Sequence, residues 1–359
     1  MSKPDLHSQR KRRSACWRDF WERKPVSRPL FGTALEILSA AVAVCGKEGV
    51  ILPTHLDMRA YLDTCDSVAA EARTINSDSV WAASAFQGLP WMEAILGCSV
   101  HYAGGTFWAE PPSTPIEEII ADWRSSPWLT SLIEMTKTLA THADGQYPVS
   151  TPVLRGPADI VAALRSSSVF CMDCYDAPEQ LQLWLAECAN AYREVVRALI
   201  AVLSHHSQGN VQASRQVWAP DLCFETQEDA AALISPAHYR KFILPRDREL
   251  WELAPYTFHH LHSTALHYLT DLLSESRLRA IEITLDEGGP PLSTIMDKVR
   301  QVQAAGRPVI LHGALTAEDM AMLARSLPSA GLYIAARVNT AGEANDVMSA
   351  VTKELDRER

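Results

Sequence analysis

Two histidines, His260 and His262, stand one residue apart on a short apolar run, Tyr256–His262. Side chains on a strand alternate between faces, so both rings share one side. The next run, Ala280–Asp286, places Glu282, Thr284 and Asp286 on one face and Ile281, Ile283 and Leu285 on the other. His312 ends a third run, Pro308–His312, and Arg337 ends a fourth, Leu332–Arg337.

Zinc takes three or four nitrogen, sulfur or oxygen ligands in a tetrahedral array. His260 and His262 supply two, and Glu282, Asp286 or His312 could supply a third. A remaining open position would polarise a thiol or a water. Without thiolate ligands such a site is harder and suits water or a carboxylate better than a thiol. The competing reading makes the same histidines a hydrogen-bonded polar core. Asp286 and His312 could also form a general acid–base pair if they are close.

A lone arginine on an inward face is costly to bury unpaired, so Arg337 must meet an internal carboxylate or an anionic substrate. Arg155, at the end of another candidate strand, carries the same two readings. Trp218 and Asp221, with Tyr333, are placed as lining of the mouth. No chemistry is assigned to His205 and His206, at the end of a long helix, to His259, which faces the other way, or to His267.

The elements that must hold these residues come in a regular rhythm. Strand candidates fall at 28–33, 147–154, 168–174, 215–223, 256–262, 280–285, 308–313 and 332–338. Helix candidates follow at 157–166, 178–205, 235–253, 264–276, 291–304, 316–327 and 342–356. Ser235, Thr316 and Thr340 stand where capping residues belong. Eight alternating units predict an α/β fold of the (β/α)8 TIM barrel kind, whose strand C-termini carry the chemistry. An open doubly wound sheet is the runner-up, but no GxGxxG turn supports a dinucleotide site. Residues 1–27 read as a tail and short helix anchored by Trp17, Phe20 and Trp21. Residues 28–359 read as one barrel domain. Residues 35–146 form a mostly helical insertion over the barrel, with amphipathic spacing at Ile37–Cys45 and a hairpin near His101–Trp108.

Composition narrows the function classes. The chain has 359 residues, 47% hydrophobic, with 10 Trp, which is enough for a sizeable core. A net charge of −10 argues against nucleic acid as a partner. The basic run Arg10–Arg13 reads as a solvated tail. No secretory leader and no apolar stretch of membrane-spanning length are seen, and the 8 Cys show no disulfide framework, so a cytoplasmic protein with reduced thiols is expected. The CxxC at Cys171–Cys174 lies in the 168–174 strand candidate and reads as two strand cysteines on opposite faces, with Cys174 a minor option as an extra metal ligand.

Several stretches carry a family resemblance. Leu154–Val161 (LRGPADIV), Tyr175–Leu181 (YDAPEQL) and Asp229–Pro245 (DAAALISPAHYRKFILP) follow one another in order, and Phe258–Thr264 falls where a histidine-bearing strand end belongs. Together they resemble the uroporphyrinogen decarboxylase superfamily over roughly residues 147–355. That resemblance implies a TIM barrel and one of two chemistries. The decarboxylases use no metal and meet their substrate's carboxylates with an arginine-rich motif after the first strand. This chain has Phe31–Leu35 (FGTAL) there. The corrinoid-linked methyltransferases hold zinc with an HxC pair and a later cysteine. Here the pair is His260-Leu261-His262, and Arg337 stands near where the later cysteine belongs. The resemblance points nearer to the methyltransferase branch. It implies zinc held at the His260–His262 pair and a corrinoid or corrinoid protein as methyl source. The residues themselves offer Glu282 as a third ligand, Asp286, His312 and Arg337 as catalytic groups, and a small anionic substrate for Arg337. The alternatives are a metal-free decarboxylase resting on Arg155 and Arg337, and a non-catalytic barrel that binds a small molecule or a corrinoid.

Overall fold

The computed structural model describes residues 6–35, 48–203 and 210–357. The strands are β1 (Leu30–Leu35), β2 (Gly49–Ile51), β3 (Ala83–Ser84), β4 (Ser99–Ala103), β5 (Thr106–Glu110), β6 (Val149–Ser150) and β7 (Asn210–Gln212). They continue with β8 (Val217–Ala219), β9 (Cys223–Gln227), β10 (Tyr256–His262), β11 (Ala280–Leu285), β12 (Val309–Gly313) and β13 (Leu332–Val338). Six of them form the central sheet in the order β1-β13-β12-β11-β10-β9. All five pairings in it are parallel.

Alternation sorts the two faces of this sheet as expected. Ile281, Ile283, Val309, Leu311 and Ile334 join the large outer core beneath the helices. Leu30, Phe258, Ala280, Ile310, Tyr333 and Ala335 join a second core on the inner face. Trp17, Phe20 and Trp21 complete that inner core from the N-terminal helix, Leu6–Trp21.

At Arg12 and Arg13 that helix corrects the reading of the basic run as a solvated tail. Arg13 donates to the carbonyls of Ser77 (3.0 Å) and Ile75 (2.9 Å), and Arg12 lies 3.6 Å from Asp78. Trp17 Nε1 donates to the Asp78 carbonyl at 2.8 Å, and its ring meets Tyr333 edge-on at 4.8 Å. The helix thus closes the N-terminal end of the inner core.

An eight-strand ladder is not formed among the described residues. The 168–174 segment is a helix, Ser167–Asp176, capped by Ser166, whose hydroxyl accepts from Val169 N. Its buried Phe170 and Cys174 are four residues apart, the helical interval rather than the strand interval. Cys171 and Cys174 therefore sit one turn apart, and Cys174 joins no metal-type cluster among the described residues. The 215–223 candidate divides: β8 makes an antiparallel hairpin with the preceding β7, and the parallel strand starts only at Cys223. The expected 147–154 strand shrinks to β6, which pairs with β3.

The edge strands β1 and β9 bond to chain outside the six-stranded sheet. Asp78 N donates to the Phe31 carbonyl at 2.7 Å, and Gly156 N to the Gln227 carbonyl at 2.9 Å. Gln216 imitates a missing strand neighbour: its amide donates to Thr33 O and accepts from Leu35 N, each at 3.0 Å.

The 35–146 region is less purely helical than expected. It holds helices at Met58–Ala72, Trp91–Ile95, Ile116–Asp122 and Pro127–Ala143, plus the antiparallel sheet β2-β4-β5. The hairpin expected near His101–Trp108 is β4–β5. Ile37–Cys45, His205 and His206 lie outside the described residues. The capping expectations hold: Ser235 accepts from His238 N, Thr316 forms a capping box with Asp319, and Thr340 accepts from Glu343 N. Among the described residues no helix is long and apolar enough to cross a membrane.

Gly32 on β1 has a specific reason to lack a side chain. A Cβ there would collide with the Tyr333 hydroxyl, in the inner core. Tyr333 is wedged against Trp17 and cannot retreat cheaply. Gly32→Ala is expected to destabilise the fold by about 1–3 kcal/mol, as overpacked cores do, and Tyr333→Phe should recover part of the loss. Urea unfolding of both variants checks this.

Candidate metal centre at the strand ends

The inner faces of the parallel strands end in polar side chains at one mouth. In register, His260 lies beside Glu282 and His262 beside Thr284. Thr284 pairs with His312, and His312 with Ala335. Gln227 is the neighbour of His260 on the other side.

The two histidines are held in the same way. His260 Nδ1 is 2.5 Å from Glu282 Oε2, and His262 Nδ1 is 2.6 Å from Asp286 Oδ1. Glu282 Oε1 also accepts from Thr284 Oγ1 at 2.8 Å, and Asp286 Oδ2 from Ser263 Oγ at 2.7 Å. Both rings thus have their Nδ1 side engaged by a carboxylate. Their Nε2 atoms point to a third carboxylate, Asp229, whose Oδ1 lies 3.8 Å from His260 Nε2 and 3.7 Å from His262 Nε2. Asp229 opens the turn after β9, and its Oδ2 accepts from Gln227 Nε2 at 2.7 Å. The ligand-type atoms of Asp229, His260 and His262 all lie within 4.8 Å of one another. Carboxylates on the far nitrogens of metal-bound histidines fix the tautomer and raise basicity.

A second group, Glu225, His260 and Glu282, meets the same spacing but is fully buried. Its cation is already present in the chain. Arg215, from the β7–β8 turn, lies 3.1 Å from Glu225 Oε1 and 3.5 Å from Glu282 Oε1. Its Nη2 is 3.0 Å from His260 Nδ1 and its Nη1 is 3.3 Å from His312 Nδ1. One nitrogen cannot both accept from Arg215 and donate to Glu282. Burial would raise the Glu282 carboxyl, but Arg215 and then His260 outweigh it and hold it at about 2. Glu282 is therefore a carboxylate, and His260 Nδ1–H donates to it. Burial opposes a charge on His260, yet Glu282 outweighs that and raises its pKa. Asp286 is held below its usual range: burial opposes this, but Ser263 and His262 prevail.

Several sequence-predicted roles change with these positions. Glu282 does not share the pocket of the two Nε2 atoms; it orients His260 from behind. Asp286 and His312 are not hydrogen-bonded to each other, since Asp286 serves His262 and Ser263 while His312 accepts from Arg215. Burial, and then Arg215, push His312 down to about 3, so it is neutral in the ordinary pH range. Arg337 is exposed at the end of β13, not buried, and its charge is felt at His312. Arg155 donates to the buried Glu93 at 3.0 Å, which favours its internal reading.

Trp218, Asp221 and Tyr333 do not line the mouth. Trp218 accepts through its carbonyl from Trp21 Nε1 at 2.8 Å, and Trp21 packs on Tyr256, the first residue of β10. Asp221 caps Leu222 N at 2.7 Å, before β9 begins. Both lie at the opposite strand ends, roughly 20 Å from His262 at the usual rise per residue. Tyr333 is fully buried in the inner core against Trp17. Their misplacement follows from the misread strand: with β9 at 223–227, residues 218 and 221 precede it.

Asp229, Gln227, Arg215 and Glu225 were missed. Asp229 had a signal, since it opens the motif Asp229–Pro245 and lies two residues beyond the true end of β9. Arg215 had none: it stands between Ser214 and Gln216 in a stretch with no recognisable motif.

No protein-family model and no curated protein matches this chain. Among solved structures it is similar to a methyltransferase from Methanosarcina mazei, at 14% identity and a TM-score of 0.66, over 96% of this chain and 98% of that one. A beta-mannanase from a symbiotic protist of the termite Reticulitermes speratus aligns at 9% identity with a TM-score of 0.41, over 95% and 91% of the chains, and carries no argument. The first likeness is one of fold, over nearly the whole length of both chains.

Proposed function

We propose that this chain is a metal-dependent methyltransferase whose centre is His260, His262 and Asp229. The observation that supports it most is the convergence of two imidazole Nε2 atoms on one carboxylate, each ring held from behind by a second carboxylate. A divalent ion such as zinc, bound there, supplies Lewis-acid activation of the group that receives the methyl. The donors are nitrogen and oxygen, and no cysteine among the described residues joins them. Such a set favours an oxygen nucleophile over a thiol. Glu282 and Asp286 keep both Nε2 lone pairs turned to the pocket, Gln227 holds Asp229, and Arg337 receives an anionic group of the substrate. The methyl donor in this proposal is a corrinoid on a partner protein, supported by the motif resemblance and by the fold likeness to a methyltransferase. On this reading the six-stranded sheet and the chain bonded to its edges are a barrel of the (β/α)8 kind. The decarboxylase reading loses one of its two arginines to Glu93.

The functional test is methyl loss from methylcobalamin, followed by absorbance, with metal-loaded chain and a panel of small carboxylates. Turnover that disappears in Asp229→Ala supports the proposal; no turnover with any acceptor counts against it.

The orienting carboxylates make a separate prediction. Glu282→Gln and Asp286→Asn should each weaken metal binding about 10- to 100-fold while leaving the ligands in place. Competition titration against a chelating dye measures this. Unchanged affinity in both would mean that neither carboxylate supports a ligand.

A further inference from the structure

We propose that His312 is a neutral hydrogen-bond donor to substrate, its Nε2–H taking one oxygen of a carboxylate that Arg337 also engages. This rests on the reading of the mouth as the active site and adds the substrate's chemical class and a role for a residue outside the metal set.

The tautomer follows from geometry. Arg215 Nη1 lies 3.3 Å from His312 Nδ1, and a guanidinium only donates. His312 Nδ1 must then be the acceptor, which places the single proton of a neutral ring on Nε2. Arg215 is itself locked by Glu225 and Glu282, and its carbonyl accepts from the Tyr333 hydroxyl at 3.4 Å, so the donor is rigidly placed.

The other side of the ring is not satisfied. His312 is 4% exposed, and its Nε2 has no hydrogen-bond partner among the described residues. A buried donor left unpaired is costly, and such groups in folded proteins call for an acceptor. On β13 its neighbours are small or cationic, and the nearby Glu282 is already engaged by His260, Thr284 and Arg215. His312 pairs in register with Ala335, whose side chain is one methyl, and Arg337 is two residues further along the same face of β13. A guanidinium and an N–H donor on adjacent strands match the two oxygens of a carboxylate. Thr284, on the other neighbouring strand, has its hydroxyl proton committed to Glu282. His312 thus cannot act as a base toward substrate from the side it presents: it offers a proton in a hydrogen bond and keeps it.

The test uses the full chain, metal-free, labelled with 15N-histidine, with long-range proton–nitrogen correlations at pH 6–8 during titration with sodium acetate against sodium chloride. The His312 signals are assigned from their loss in His312→Gln. The expected result is a neutral ring protonated at Nε2, with that nitrogen shifting on acetate and not on chloride. Acetate affinity should fall about tenfold in His312→Ala, as loss of a hydrogen bond to a charged group implies, and should be largely retained in His312→Gln, whose amide restores a donor. A ring protonated at Nδ1, an imidazolium in this range, or equal acetate affinity in wild type and His312→Ala would overturn the proposal. Metal is absent throughout. A chain that binds acetate this way yet never holds metal would refute the metal reading and leave the carboxylate contact standing.

Discussion

Asp229→Ala, His260→Ala and His262→Ala should each lower affinity for a divalent metal by roughly a hundredfold or more, beyond the effect of losing an outer-shell partner. The argument is geometric. Three ligand atoms already converge from two elements, β10 and the turn after β9, and each is fixed by a hydrogen bond that leaves its metal-facing atom available. Removing one leaves two, too few for the closed or nearly closed coordination that zinc prefers. Asp229→Ala is the most informative of the three. It leaves both histidines with their carboxylate partners, so folding should be little affected while metal is lost. Isothermal titration with zinc separates the effects. Retention of wild-type affinity in Asp229→Ala would remove it from the centre and return the third place to another group.

Arg215→Ala should be the most destabilising single change at the mouth. The guanidinium lies between Glu225 and Glu282, both buried, and faces two imidazoles. Removing one partner of a buried ion pair leaves the other charge uncompensated and costs about 3–5 kcal/mol. For a chain of this length that is a fall in Tm of roughly 5 °C. The pH dependence should change in a defined direction. Glu282 is held at about 2 in the folded chain, below the ordinary value of 4.5. A depressed carboxyl contributes stability that is present above its unfolded pKa and is lost as pH falls through the folded one. Wild type should therefore lose this contribution between about pH 4.5 and 2, whereas Arg215→Ala, without the main cause of the depression, should have little of it to lose. Arg215→Lys keeps the charge but not the planar fork that meets Glu225, Glu282 and His312, and should recover only part of the stability. Thermal melts from pH 3 to pH 8 would show both effects; a variant as stable as wild type at pH 7 would mean that the buried acids are neutral.

The residues legible from sequence are those whose placement depends on local periodicity. Alternation alone put His260 and His262 on one face and Glu282 and Asp286 on the next, and the apolar face of β11 was read on the same ground. Helix starts at Ser235, Thr316 and Thr340 were legible because capping is a local side-chain-to-backbone bond. What failed required knowledge of distant chain. Cys171–Cys174 was read as a strand because a short apolar run looks alike in either periodicity, and the packing of Phe170 and Cys174 decided it. Trp218 and Asp221 were misplaced by one error, the start of β9. Arg215 acts on residues 10 to 97 positions away, and nothing local marks it. Arg337 was assigned the cost of burial, but β13 ends at the mouth and leaves it exposed.

X-ray absorption spectroscopy of the purified full-length chain, at the edge of whatever metal elemental analysis finds, tests the central claim most directly. The account predicts close to one metal per chain with only nitrogen and oxygen in its first shell, including scattering from two imidazoles. A chain that binds no metal under any loading condition, or one whose metal has a sulfur ligand, would contradict it.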